Sequence, residues 1–92
     1  MLLFFIVSAK TTNPMVFASN ARDHYLSHMI LKKVYTKNIF QCMKLCENYL
    51  GVCQSFSMNE ATGECFVNSI RRKEASTDKF VFRQGFAYYE LM

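Results

Sequence analysis

Four cysteines, Cys42, Cys46, Cys53 and Cys65, are the side chains of this sequence whose number and spacing are best suited to chemistry. An even set of thiols in a short chain makes disulfides or a metal site, and the compartment decides between them, because cytosolic thiols stay reduced. Cys42 and Cys46 stand one helical turn apart, side by side on a helix, a geometry in which two cysteines seldom bond each other. Each must reach outward. A chain that reverses at Gly51 brings Cys53 back to Cys46 in the last turn, and Cys42, deeper in the helix, is left for Cys65. The spacing therefore predicts the disulfides Cys42–Cys65 and Cys46–Cys53, each stabilising by about 2 to 4 kcal/mol on the loop-entropy model. The rival is a structural zinc site made of the same four residues with His24 or His28. Gaps of three, six and eleven residues fit no usual zinc spacing, and no Cys-x-x-Cys is present. No metal and no other cofactor is expected.

Catalytic constellations are not apparent. His24 and His28 are four apart, but no helix signal surrounds them and they lie where a strand begins, so they read as exposed or structural histidines. Serines and carboxylates form no nucleophile elbow or paired-acid arrangement, and there is no glycine-rich phosphate loop. The chain is not expected to be an enzyme.

The elements that position the cysteines follow from periodicity. Asn38 is a helix N-cap, with Gln41 three residues on to complete a capping box. Ile39, Cys42, Met43 and Cys46 then fall on one face, while Gln41, Lys44 and Asn48 fall opposite, and Gly51 supplies a left-handed stop. Beyond it, residues 53–58 and 65–68 read as strands joined through Asn59-Glu60-Ala61-Thr62-Gly63 as a hairpin. Upstream, residues 28–35 read as a strand and residues 15–18 as a short first one. Residues 71–79 are charged and polar, and the aromatic stretches 80–82 and 86–89 supply a closing strand. One amphipathic helix on a small antiparallel sheet, an α+β fold stapled by two disulfides, is the assembly these elements favour.

At 92 residues the chain holds one domain, and a core so small is marginal without covalent help. Residues 1–7 are apolar and uncharged, and Val7-Ser8-Ala9 presents the small residues of a cleavage site before Lys10. Residues 1–9 are accordingly read as a signal peptide, 10–14 as a short polar lead-in and 15–92 as the domain. The apolar run is shorter than usual and lacks a basic start, which leaves a truncated gene start or a plain buried strand as the alternatives; it is far too short to span a bilayer.

Two surface features bear on binding. The aromatic residues Phe80, Phe82, Phe86 and Tyr88 are expected in the core, with Tyr89, by alternation, left as a surface candidate. Arg71, Arg72, Lys73, Lys79 and Arg83, with Lys32, Lys33 and Lys37 elsewhere in the chain, are the candidate basic patch for a sulfated glycan or acidic protein, although Glu74 and Asp78 interrupt the run and a solvated loop is the plainer reading. The net charge of +4 is too diffuse to name a partner by itself.

The residues also resemble a known family, the PAN/apple domain of secreted and cell-surface proteins. The resemblance runs through the helix Asn38-Ile39-Phe40-Gln41-Cys42-Met43-Lys44-Leu45-Cys46, then Cys53-Gln54-Ser55-Phe56-Ser57, then Gly63-Glu64-Cys65-Phe66-Val67-Asn68. The strand at 28–35 and the late Gly85-Phe86-Ala87-Tyr88-Tyr89 extend it over roughly residues 15–91. It implies a helix cradled by an antiparallel sheet of about five strands, with the same disulfide pairing. The third disulfide frequent in the apple branch has no cysteines here, so the chain is similar to the shorter PAN type. The roles it implies are binding ones, to protein or carbohydrate.

The expected function is thus a secreted or cell-surface interaction module for an extracellular protein or a glycan, sulfated glycans included, with no nucleic acid partner. Two other classes compete. A stand-alone cationic toxin-like or antimicrobial effector suits the charge, size and disulfides, although the polar helix face carries only Lys44 as a cation. An intracellular zinc or redox protein requires residues 1–9 to stay attached and the thiols to stay reduced.

Overall fold

The structure, a computed structural model, describes residues 17–92. The expected leader, the lead-in and residues 15–16 lie outside the described residues.

A hairpin forms the middle of the molecule. Strand β3 (Ser55–Asn59) and strand β4 (Glu64–Asn68) pair antiparallel, with Met58 opposite Cys65 and Phe56 opposite Val67. The loop is set by Asn59, whose Oδ1 accepts from Ala61 N at 3.0 Å and Thr62 N at 3.3 Å, while Gly63 N donates to the Asn59 carbonyl at 2.7 Å. Such local bonds are what make Asn a turn residue. Gly63 has φ +83°, and a Cβ there would stand 2.9 Å from the Thr36 carbonyl oxygen, so both conformation and space require glycine.

Strand β5 (Phe80–Leu91) pairs with β3, and β1 (Phe17–Leu26) pairs with β5; β2 (Ile30–Tyr35) pairs with β4 on the other side. The sheet is antiparallel with order β1-β5-β3-β4-β2. Two of these strands are longer than expected. The first, described from Phe17, runs past the anticipated end at residue 18 to Leu26, across Asn20, Arg22 and Asp23, and the closing stretches 80–82 and 86–89 are one strand running through Arg83, Gln84 and Gly85. Neither alternation nor propensity marks these bridging residues. They are held by each other, for the register shifts around Asp23, itself at φ 58°, where Asp23 Oδ1 accepts from Gly85 N at 2.9 Å. A bulge on one strand thus meets a glycine on its partner.

Helix α1 (Ile39–Asn48) lies on one face of the sheet. Asn38 Oδ1 accepts from Gln41 N at 3.0 Å, as a cap should. The return bond differs from the expected box: Gln41 Oε1 accepts from Lys37 N at 2.7 Å, one residue before the cap. Cys42 and Cys46 are buried and Gln41, Lys44 and Asn48 exposed, in agreement with the 3.6-residue period. The helix ends at Tyr49, and Gly51, at φ +80°, belongs to the reversal that follows, in which Cys53 N donates to the Tyr49 carbonyl at 2.9 Å.

Both faces of the central strands are covered, which is why every residue of β3 and β4 is buried. Cys65, Val67, Phe56 and Met58 face the helix with Cys42, Cys46 and Cys53. Glu64, Phe66, Asn68, Ser55 and Ser57 face the other way. There Tyr25, Phe66 and Phe86 stack in a triangle with centroid separations of 5.1, 5.3 and 5.6 Å, and Phe80 meets Tyr88 edge-on at 5.0 Å. Asn68 Nδ2 donates to the carbonyls of Leu26 and His28, both at 2.9 Å, and ties the bend between β1 and β2 to this face.

Candidate functional site

The thiols come first because their pairing determines what else they can do. Cys42 bonds Cys65 and Cys46 bonds Cys53, with Cα separations of 5.7 and 5.3 Å, both ordinary for disulfides. Helical spacing turns the first two cysteines to the sheet, and the hairpin register brings Cys65 under Cys42. All four are fully buried and none is free. This corrects the zinc alternative: sulfurs bonded to each other offer no thiolate to a metal. Among the described residues, no group of three or more His, Cys, Asp or Glu side chains is gathered to hold a metal ion.

On the sheet face away from the helix, a carboxylate and two cations meet over aromatic rings. Glu64, nearly buried, accepts from Thr62 Oγ1 at 3.0 Å and lies 3.5 Å from Lys33 Nζ and 3.8 Å from Arg83 Nη2. Lys33 Nζ is 5.5 Å from the Phe66 centroid and 5.6 Å from that of Tyr35, and the Arg83 guanidinium is 5.6 Å from that of Phe86. The buried carboxylate is thereby paired, and the rings gain cation–π contacts at their rim. Nothing in the sequence joins Lys33 to Glu64, since only the pairing of β2 with β4 and the reach of Arg83 across the sheet bring them together.

A second polar cluster surrounds Tyr88. Its ring is buried, its hydroxyl accepts from Arg72 N at 2.8 Å and donates to Glu90 Oε1 at 3.0 Å, and burial pushes its pKa up to about 12. Ser55 Oγ donates to the Ile70 carbonyl at 2.6 Å nearby. Together these bonds fasten the start of the 70–79 connection to the sheet.

The six candidate binding residues are distributed by this framework. Arg71, Arg72, Lys73 and Lys79 lie on that one connection, built from two short 3-10 turns, Arg72–Glu74 and Thr77–Lys79. Arg71 is half-buried, and its backbone N–H donates to Glu74 Oε1 at 2.7 Å. The Arg72 guanidinium lies 4.5 Å from the Phe80 centroid. Asp78, beside Lys79, accepts from Ser76 Oγ at 2.6 Å, and that bond holds its carboxyl below the usual range. Arg83 is engaged elsewhere, at Glu64. Tyr89 is half-buried against the helix-side core, its ring stacked on Phe56 at 5.1 Å. Tyr88 is inward, as alternation requires, and on the opposite face from Tyr89.

His24 is a packing residue of β1, stacked on Phe80 at 4.9 Å and edge-on to Phe82 at 5.6 Å, with Nδ1–H donating to the Arg22 carbonyl at 2.9 Å. His28 is exposed in the bend before β2. The large apolar side chains that remain exposed include Met29, Ile30 and Tyr35 along β2 and its approach, and Phe40, Leu50 and Val52 around the helix; Phe82, expected in the core, is exposed as well, its ring meeting the edge of the sheet at His24. No helix among the described residues is long and apolar enough to cross a membrane.

Compared with known proteins, residues 18–92 match a family model described as PAN domain. No curated protein matches the chain.

Proposed function

The chain belongs to the PAN domain family, and on that premise we propose that it is a secreted or cell-surface interaction module that binds an extracellular protein or a glycan, without catalysis. The observation that carries the reading is the pair of buried disulfides within a domain of that family, whose members bind proteins or carbohydrates. Disulfides of this kind persist in oxidising compartments, which supports an address outside the cell and the reading of residues 1–9 as a signal peptide, with the domain following from residue 15. The titratable groups of the sheet's far face support the same view. Glu64 and Tyr88 are each tied into structural bonds rather than presented to a substrate.

For a sulfated glycan or an acidic protein, the contact residues we favour are Arg71, Arg72, Lys73 and Lys79 on one connection, with Arg83 and Tyr89 as outlying contributors. Because the start of this segment is already fastened to the sheet at Tyr88 and Ser55, its cationic side chains meet an anionic surface with little further ordering of the backbone there. The test is expression with the native leader, recovery from the medium, N-terminal sequencing, and a screen of the oxidised protein against extracellular proteins and glycans. Cleavage near Lys10 with a saturable ligand supports the reading. Retention inside the cell with four free thiols, or a folded secreted protein that binds nothing in the screen, overturns it.

A further inference from the structure

The sheet has two edges, and they differ. Along β1 the register with β5 shifts between Ser19 and Ala21 and again between Arg22 and His24, so its outer edge is broken twice. Along β2 the only irregularity lies between Ile30 and Lys32, after which Lys32, Lys33, Val34 and Tyr35 pair in unbroken register with Val67, Phe66, Cys65 and Glu64. Thr36 N donates to the Gly63 carbonyl at 2.8 Å, so antiparallel alternation turns Val34 toward β4 and leaves the N–H and C=O groups of Lys33 and Tyr35 directed away from the sheet. Beside this edge a groove of about 240 Å³ separates β2 from α1, lined by Val34, Thr36, Gln41, Lys44, Leu45 and Asn48. Val34 and Leu45 supply its apolar floor.

Charge selects the occupant. Lys44 lines the groove, Lys32 and Lys37 are exposed on the chain that flanks its lining residues Val34 and Thr36, and no carboxylate lines it. The nearest acid on β4, Glu64, is already held by Lys33 and Arg83. A second copy added antiparallel along the middle of β2 would set Lys32 against Lys32 or, one register on, Lys33 against Lys33, which is unfavourable across a strand pair. Lysines on an edge keep copies of the chain apart; an acidic partner turns the same charges to advantage.

We propose that β2 is a docking edge that takes an extended acidic segment of another protein as an added strand. Its backbone bonds to Lys33 and Tyr35, one apolar side chain enters the groove over Val34 and Leu45, and its carboxylates meet Lys32, Lys37 and Lys44. Main-chain bonds with a pocket for alternate side chains are the mode of recognition by strand addition. The proposal rests on the reading of the chain as an interaction module and specifies the partner and the site.

The experiment uses the intact, oxidised protein and three peptides, followed by amide chemical shifts and hydrogen exchange: Thr-Glu-Thr-Val-Thr-Glu-Thr, which puts its Val and both carboxylates on one face of a strand, the same peptide with Lys for Glu, and the Glu peptide N-methylated on alternate amides. The expected result is binding of the first alone, with slowed exchange at Lys33 and Tyr35. Charge reversal at Lys32 or Lys44, as K32E or K44E, then weakens it by about fivefold each, the size of an exposed ion pair. Equal binding of the N-methylated or the lysine peptide overturns the proposal, as does protection of Lys33 and Tyr35 by self-association. Shifts centred on residues 71–79, or no binding while the ligand screen yields a partner, overturn it too but leave the interaction module standing. Failure of the peptides and the screen together removes both.

Discussion

Against the helix, β3 and β4 set Phe56, Met58, Cys65 and Val67 around two disulfides; on their other side the same strands set Ser55, Ser57, Glu64, Phe66 and Asn68 against aromatic rings and hydrogen-bonded polar groups. The first layer is covalent and apolar, and every sulfur in it is buried. The second has no cross-link. It depends on ring packing, on a carboxylate shared by two cations, and on a tyrosine hydroxyl between Arg72 and Glu90. One sheet therefore carries a side sensitive to reduction and a side sensitive to proton and salt concentration. A domain too small for one deep core reaches stability by adding a staple on one face and an aromatic layer on the other.

Removing the staples should show the largest effect. Replacing all four cysteines by serine is expected to cost about 5 kcal/mol, from about 3 for the longer Cys42–Cys65 link and about 2 for Cys46–Cys53. That matches the whole stability of a small domain, so circular dichroism should find the chain unfolded at room temperature. The counterpart on the far face is Phe86→Ala, expected to cost about 3 to 5 kcal/mol in denaturant titrations because it empties the middle of the ring triangle. A smaller loss there than for Cys46→Ser/Cys53→Ser would show that the aromatic layer contributes less to stability than the shorter staple.

Tyr88→Phe is expected to cost about 1 to 2 kcal/mol, since Arg72 N loses its acceptor and Glu90 its donor. The hydroxyl also confers a pH dependence. Its folded-state pKa, about 12, is raised above the unfolded value, so the neutral phenol's contribution is full below about pH 10 and is lost as pH rises toward 12. The difference in stability between wild type and Tyr88→Phe should therefore narrow across that window; a constant difference would show that the phenol is not held neutral by folding. Smallest is Asn38→Ala, about 1 kcal/mol from the loss of the cap on α1, measurable as a shift of the denaturation midpoint at unchanged slope.

Local physics made the helix side legible. The cap, the 3.6-residue period and the reversal at Gly51 act over a few residues, and they suffice to turn Cys42 and Cys46 inward and to pair them. The hairpin was equally readable because Asn59 and Gly63 make their own turn. The far side was not. Residues 19–26 of β1 carry no alternation, and the middle of β5 interrupts an aromatic pattern with Arg83, Gln84 and Gly85. These segments are strands because they pair with each other, bulge against glycine. The candidate basic run is divided in space in a way the sequence does not show, since Arg83 turns to Glu64 while Arg71 and Arg72 follow the 70–79 connection.

What the sequence determined by itself is therefore the family resemblance, the helix and its inward face, the hairpin, and which cysteines meet. Tertiary structure alone decided the sheet order, the length of β1 and β5, the pairing of Lys33 and Arg83 with Glu64, and the open edge at β2. The reason is range. Caps, turns and helical periodicity are set by atoms a few residues apart, whereas a strand register joins residues as distant as Phe17 and Leu91, and nothing in either neighbourhood encodes the other until the chain has closed.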